Sequence, residues 1–556
     1  MTTTPIKHVI VVIGENHSFD NVFATFRAAN GEPVRNLLSE GIVKGNGSPG
    51  PHVRRARQRL ARDTTVYRLH PTKTGAYAKL PAPSTTYISG ACDGGQPQNA
   101  PDNRFPRLPN APFQLTRYVP YHATAPGCPE PGAWVGDPLH RFYQMWQQND
   151  GNRHDQYVWT ANTAGDDNGA VPPAPISQGA VSMGFYNVRH GDAPLLTALA
   201  RRYAMSDNYH QAVMGGTGVD HYLLGTGDFP YYQNARGRPT RPPRSQIENP
   251  NPLHGYNNAY TNDGYAGGSY TDCSNPNAPG VAAIMRQIKA GRAWNGGDCA
   301  PHHFYLLNNY NPAYNANGTR VDTTKFPFTV PPQTTPDIGS ELSAHHVTWG
   351  FFGQGLQAHN RQGPTYCAIC NPFQYSKAIM TNPRLRANIK PYKAFLADAR
   401  AGTLPAVSYV KPSITFDGHP ASSTLAAFES FLHRTLRAAM ANRREWASTA
   451  VFVTMDESGG YYDSGYMAPL TFFGDGPRVP MIVVSPWAKR HFVSHRYDDH
   501  ASILKFIERN WSLRPLTSRS LDNLPNPVTA LGHPYVPVNG PAVGDLMNYF
   551  TFSRTD

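Results

Sequence analysis

One apolar run that ends in acid constrains this chain more than any other feature. His8-Val9-Ile10-Val11-Val12-Ile13 leads through Gly14 into Glu15-Asn16-His17-Ser18-Phe19-Asp20. Five consecutive β-branched apolar residues are the pattern of a strand covered on both faces, as in the middle of a parallel sheet. Open α/β sheets gather their ligands in the crevice at the carboxyl ends of the strands. The acidic cluster therefore falls where such folds keep their chemistry. The alternative is that Glu15 and Asp20 only cap the turn that follows, since Asp, Asn and Ser all favour caps.

A second segment of the same build lies far along the chain, in Thr449-Ala450-Val451-Phe452-Val453-Thr454-Met455-Asp456-Glu457-Ser458-Gly459-Gly460. Two strands of one parallel sheet would bring Glu15, Asp456 and Glu457 to a single edge. Three carboxylates that close repel one another unless a cation sits among them. Gly459-Gly460 permits a tight turn and close backbone approach. Hard oxygen ligands favour Ca, Mg or Mn, and an added imidazole or a compact geometry admits Zn or Fe, so one divalent metal is expected with its identity open.

Helical periodicity is clearest over residues 193–205, 281–290, 425–446 and 501–511, and strands are expected at 8–13, 304–307, 406–410, 450–455 and 480–485. Interleaved strands and helices predict an α/β fold with a mostly parallel central sheet flanked by helices. Residues 44–135, 228–280 and 308–338 are rich in Pro, Gly, Asn and Tyr and carry no sustained period. Too long for connectors, they are expected as insertions that rim a pocket within one domain spanning residues 1–556.

The net charge of +12 favours anionic ligands or surfaces. The densest basic group, Arg54, Arg55, Arg57, Arg59 and Arg62, has no aromatic platform beside it, so a solvated loop is the better account and no nucleic acid is expected. Six cysteines fall in Gly/Pro-rich segments and suggest three local disulfides, Cys92 with Cys128, Cys273 with Cys299 and Cys367 with Cys370, among fifteen possible pairings. A redox or zinc role for Cys367-x-x-Cys370 is the alternative, although no second CxxC completes zinc spacing. Disulfides point to a secreted or periplasmic protein. No signal peptide precedes the first strand, and no apolar run approaches the roughly 20 residues needed to span a bilayer.

Between the two carboxylate strands, Met214-Gly215-Gly216-Thr217-Gly218-Val219-Asp220-His221 carries a hydroxyl among three glycines. A hydroxyl so presented can act as a nucleophile if a metal or base lowers its proton affinity. Equally, Thr217 could cap the next helix.

Here the chain resembles a known family. Glu15-Asn16-x-Ser18-Phe19-Asp20, Gly216-Thr217, Asp417-x-His419-Pro420, Asp456-Glu457-x-Gly459-Gly460-x-Tyr462-Asp463 and Tyr497-Asp498-Asp499-His500 occur in that order, with Arg478-Val479-Pro480 and Ser485-Pro486-Trp487. Together they look like the phosphoesterase family of bacterial phospholipases C and secreted acid phosphatases, over residues 5 to about 513. The resemblance implies an alkaline-phosphatase-like α/β fold. It implies metal ligation by Glu15, Asn16, Thr217, Asp456 and Glu457, attack on phosphorus by Thr217, and a phosphothreonine that water hydrolyses. It also implies that His346 and His419 serve the chemistry and that Asn16, His140 and His345 line the phosphate site, while His500 is structural or supporting.

Two departures bear on the substrate. Thr217 is followed by Gly218-Val219-Asp220-His221 where phospholipases commonly carry Pro-Asn-Arg, and Asp463-Ser464 replaces the usual Asp-His. Both pull toward the acid-phosphatase branch and leave phospholipid, or a membrane surface, as a possible substrate among phosphate esters. A sulfatase-like ester hydrolase is the enzymatic alternative, though sulfatases usually present a modified Cys or Ser. A non-catalytic carbohydrate- or surface-binding protein is the alternative from another class, given 30 Tyr and 8 Trp. Oligomeric state is not legible.

Overall fold

The apolar run at the amino end is buried because it has a parallel neighbour on each side. The computed structural model describes residues 1–88, 90–165, 177–260, 267–289 and 296–553. Its central sheet uses β1 (His8–Gly14), β2 (Ala204–Ser206), β3 (Trp349–Gly353), β4 (Ile389–Pro391), β5 (Val407–Lys411), β6 (Thr449–Met455), β7 (Met481–Val484) and β8 (Phe492–Ser494). Their spatial order is β4-β3-β5-β1-β6-β7-β2-β8. Only β7 runs against the rest, pairing antiparallel with both β6 and β2.

The register decides the site. β1 lies parallel to β6 from His8 opposite Thr449 to Gly14 opposite Met455, and Asp456 N–H donates to Gly14 O at 3.0 Å. Glu15 and Asp456 therefore leave the sheet side by side. On the other flank, β5 aligns Val9 with Val407 and ends at Lys411 on the same edge.

Helices cover both faces, which is why alternate residues of β1 are equally apolar. The main ones are α1 (Pro194–Arg202), α2 (Thr217–Thr226), α3 (Val281–Lys289), α4 (Tyr392–Ala401), α5 (Leu425–Ala441) and α6 (Ala501–Trp511). Tyr409 OH donates to Leu224 O of α2, and Phe452 meets Phe506 of α6 at 5.0 Å between ring centres, which sets those two helices on one face. Phe352, on the opposite face, packs against Phe395 of α4 at 5.5 Å.

Several expected elements differ in ways the packing explains. The helix expected over 193–205 ends at Arg202, because Ala204 and Met205 are the buried inner residues of β2. The helix expected over 425–446 breaks at Asn442, whose side chain accepts from Glu445 N–H at 3.2 Å and starts a separate short turn. The strand expected at 304–307 is real over Tyr305–Leu306, but pairs with Tyr270–Thr271 outside the central sheet. Residue 290 of the helix expected over 281–290, and residues 261–266 of the second insertion, lie outside the described residues. The three cysteine pairs form the expected disulfides. Among the described residues, no helix is long and apolar enough to cross a membrane.

Candidate active site

Asn16 turns the chain at the end of β1 with φ of 59°, a left-handed conformation that Asn tolerates better than most residues. The turn points Glu15 and Asn16 across the sheet edge toward the end of β6. There Asp456 Oδ1 accepts from Asn16 N–H at 3.1 Å and from Glu457 N–H at 2.7 Å, which ties the two strand ends together. Gly459, with φ of 59°, leaves room for this: a Cβ there would sit 2.5 Å from the Asn16 Cβ.

Thr217 arrives from a third direction, as the first residue of α2. The cap position is Gly216, which has no side chain to offer, and the Thr217 hydroxyl is turned instead to the carboxylates. Its Oγ1 lies 3.3 Å from Glu15 Oε2 and 3.1 Å from Glu457 Oε1. One hydroxyl proton can serve only one of them. The helix amino end favours developing negative charge on that oxygen. The preceding turn needs glycine, since a Cβ on Gly215 would lie 2.1 Å from Leu307 O.

Imidazoles stand over this floor. His419 Nδ1–H donates to Pro420 O at 2.7 Å, which leaves Nε2 facing Asn16 Nδ2 at 3.1 Å. His140 is built alike, with Nδ1–H on Pro138 O at 2.7 Å and Nε2 3.6 Å from Glu457 Oε1. Both rings thus turn the same nitrogen to the site. His345 and His346 are placed elsewhere. They precede β3 and therefore sit at the amino edge of the sheet, roughly a strand length of 15–20 Å from Glu15. His345 Nε2 instead pairs with Glu341 at 3.1 Å on an exposed helix end. The resemblance fixed their nearness to Trp349 but not which end of the strand they occupy, so neither belongs to this site.

Two residues to which the sequence assigned no definite role complete the centre. Lys411, the last residue of β5, is buried with Nζ 2.6 Å from Glu15 Oε1 and 3.8 Å from Asp417 Oδ2. His221, one helical turn after Thr217, donates Nδ1–H to Thr217 O at 2.9 Å and holds Nε2 3.8 Å from Glu15 Oε1. Burial works to raise the Glu15 carboxyl, but the Lys411 ammonium beside it holds it down at about 2. Asp456 is pushed well above the usual carboxylate range by burial and by Glu15 beside it. Burial holds the His221 imidazole neutral, down at about 3.

Buried polar atoms remain that nothing among the described residues satisfies. Asn16 Oδ1, Asp456 Oδ2 and His221 Nε2 find no hydrogen-bond partner among the described residues. An oxygen-rich set with lone pairs left over and surplus negative charge fits a hard or borderline cation. Ligand atoms of Glu15, His221 and Cys370 also lie within 4.8 Å of one another, but Cys370 is committed to its disulfide with Cys367. That sulfur offers no thiolate.

The centre opens into a cavity of about 330 Å³. Thr217, His140, His419 and Asp417 line its polar end, and Leu139, Ile369 and Ile414 line the wall beyond.

Immediately beside the floor, the remaining motif residues form a different structure. Arg478 Nε donates to Asp463 Oδ2 at 2.9 Å, Nη2 donates to Asp20 Oδ2 at 3.0 Å, and Nη1 donates to the carbonyls of Arg35 and Asp207 at 2.7 and 2.9 Å. Ser464 Oγ donates to Asp20 Oδ2 at 2.6 Å. The cap of the short helix after β1 is Ser18, so Asp20 neither caps it nor reaches the cavity. His500 Nδ1 meets Tyr209 OH at 3.0 Å and Nε2 meets the Asp456 carbonyl, a supporting role from behind.

The fold and the site define a carboxylate-rich α/β centre built around a helix-borne hydroxyl. The profile of the phosphoesterase family matches residues 6–514, and the chain belongs to that family. A non-hemolytic phospholipase C of Burkholderia pseudomallei is 27% identical over 311 residues, 46% of this chain and 41% of that protein. Phospholipase C B of Mycobacterium tuberculosis is 26% identical over 218 residues, 34% of this chain and 40% of that one. The matches thus span less than half of either relative. Among solved structures, a protein in the alkaline phosphatase superfamily from Vibrio parahaemolyticus superposes with a TM-score of 0.26 at 9% identity, over 58% of this chain and 60% of that one. So slight an overlap carries no comparison of sites.

Proposed function

We propose that this protein hydrolyses phosphate esters with Thr217 as the nucleophile. The observation that carries the proposal is the Thr217 hydroxyl at a helix amino end, within 3.3 Å of Glu15 and 3.1 Å of Glu457, beside buried oxygens of Asn16 and Asp456 that have no hydrogen-bond partner among the described residues. Glu15, Asn16, Thr217, Asp456 and Glu457 would hold one divalent cation. When bound, such a cation lowers the proton affinity of the hydroxyl and screens the anionic phosphate from the carboxylates.

The chain's own residues supply the rest. The Thr217 hydroxyl gives its proton to Glu457 as its oxygen bonds to phosphorus and the ester oxygen leaves, taking up a proton from solvent in the space that His419 Nε2 faces. His140 Nε2 faces the same space, where a protonated ring would donate to the equatorial phosphate oxygens. Water then cleaves the phosphothreonine, restoring Thr217 with net retention at phosphorus. The cavity suits a phosphomonoester of a compact alcohol. Phospholipid cleavage is the second reading, favoured by the relatives named as phospholipases C. The three disulfides support action in a secreted or periplasmic setting.

Thr217→Val tests the proposal. It should lower turnover of an aryl phosphate by about 10³-fold or more and abolish any trapped phosphoprotein, with the fold intact by circular dichroism. Turnover near that of the unchanged protein would remove Thr217 from the mechanism.

A further inference from the structure

One disulfide reaches the edge of the sheet where the acids gather. Cys367 is partly exposed and lines the active-site cavity, whereas Cys370 is fully buried behind it. The Cys370 sulfur lies 3.2 Å from Glu15 Oε1, the same oxygen that Lys411 holds. The other two bonds join cysteines 36 and 26 residues apart, and this one joins cysteines only 3 apart. A bond that closes so short a loop restrains the unfolded chain less than the other two, so cross-linking alone is a weak account of it.

The sulfur completes a triangle. Ligand atoms of Glu15, His221 and Cys370 lie within 4.8 Å of one another, with 3.2 Å from the Glu15 oxygen to the sulfur and 3.8 Å from that oxygen to His221 Nε2. Tetrahedral zinc, with bonds of about 2.0–2.3 Å to O, N and S, spaces such ligands roughly 3.4–3.6 Å apart. The imidazole is an independent observation. His221 Nδ1–H is spent on Thr217 O, so Nε2 presents a lone pair, and that buried atom has no hydrogen-bond partner among the described residues. Metal bonds are shorter than any contact with water, so an ion fits among atoms that water does not touch. The way in is the cavity, which Glu15 and Cys367 both line. Carboxylate, imidazole and thiolate together suit a zinc-class cation, whereas the oxygens of Asn16, Asp456 and Glu457 suit a harder one.

We propose that the Cys367–Cys370 disulfide sets which metal this centre takes: opened, it releases Cys370 to hold a zinc-class cation with Glu15 and His221, and closed, it leaves Glu15 to a harder one. An external thiol supplies the electrons. The first thiol attacks the Cys367 sulfur, forms a mixed disulfide there and expels the Cys370 sulfur, which takes the attacking thiol's proton or the metal. A second thiol attacks the mixed disulfide, leaving Cys367 as a thiol and the two external sulfurs as a disulfide. The inference rests on Glu15 as a metal ligand and not on Thr217 or on hydrolysis.

Two variants that remove the same cross-link test it. Cys367→Ser leaves Cys370 as a free thiol, and should bind zinc about a hundredfold more tightly than the unchanged protein by calorimetry. With cobalt(II) it should also show sulfur-to-cobalt charge-transfer absorption. Cys370→Ser should show neither gain, and the two variants should bind magnesium alike. In the unchanged protein, glutathione should form its mixed disulfide on Cys367, read by peptide mass spectrometry, and the freed Cys370 should give the same cobalt band. Absence of that band from both Cys367→Ser and the glutathione-treated protein overturns the proposal. So does an equal zinc gain in Cys370→Ser, which would trace the effect to the lost cross-link, or a first adduct on Cys370. Every readout is binding or adduct formation, so failure here is distinct from failure of Thr217 as the nucleophile.

Discussion

The segments after β1 and β6 each contribute to two acid clusters, and the clusters treat buried charge in opposite ways. Asp20 and Asp463 are closed around Arg478, whose guanidinium answers both carboxylates and two backbone carbonyls. Glu15, Asp456 and Glu457 gather a few residues away, where among the described residues the Lys411 ammonium pairs with Glu15. The first cluster carries its own cation and serves as a rivet between two loops. The second leaves oxygens of Asn16 and Asp456 without a hydrogen-bond partner among the described residues, and it is here that we propose a cation from outside is held. Proximity of acids in a buried site thus says little about function until the resident cations are placed.

Changes that separate the two clusters follow, in order of expected size. Asp456→Asn should lower phosphate-ester turnover by about 10³-fold and weaken divalent-cation binding by calorimetry, yet leave the metal-free protein as stable or more so, since burial and Glu15 already disfavour a charge on Asp456 and the amide carries none. A marked loss of metal-free stability would show that this cluster is a rivet too. Arg478→Met should do the reverse, destabilising the protein by about 3–5 kcal/mol in urea, because two buried carboxylates lose the guanidinium between them. Unaltered unfolding there would erase the distinction from the other side.

Lys411→Met probes the overlap between them. It should cost roughly 2–3 kcal/mol in metal-free buffer, and saturating divalent cation should recover part of that loss, one cation standing in for another. Recovery absent at every metal tried would mean that Glu15 is held by the protein alone.

Glu429 supplies a third arrangement, a buried carboxyl served by hydrogen bonds alone, from Leu196 N–H at 2.7 Å and Tyr121 OH at 3.0 Å. Burial raises it to about 7 from 4.5. The folded protein keeps this proton over that window while the unfolded chain releases it, so the group's contribution to stability declines as pH rises from about 4.5 to about 7. Glu429→Gln should flatten that decline by roughly 1–3 kcal/mol, as measured by urea midpoints at pH 4.5 and 7.5. An identical pH slope in the variant would place the titration elsewhere.

Much of the centre was legible in the chain because strand ends are written locally. An unbroken β-branched run followed by acid marks β1 and β6, and the paired glycines mark the close turn at Asn16. Thr217 was visible as a hydroxyl among glycines, although its rank above a helix cap needed the geometry. His221 had a signal that went unused, its spacing of four residues from Thr217 on one helix face. Lys411 had one as well: the strand expected at 406–410 stopped one residue short of a buried ammonium at the active edge. His345 and His346 erred for a physical reason, since nearness to a strand in sequence does not say at which end of it a residue sits.

By itself the sequence determined the central strands β1, β5, β6 and β7, the helices α1, α3, α5 and α6, and that acids would crowd one edge of the sheet. Those follow from patterns a few residues long, where apolar spacing and turn chemistry act through near neighbours. Only the tertiary structure decided which acids meet Arg478 and which are left for a cation. Charge compensation in a buried site depends on distances between groups hundreds of residues apart, and only strand register and helix placement set those.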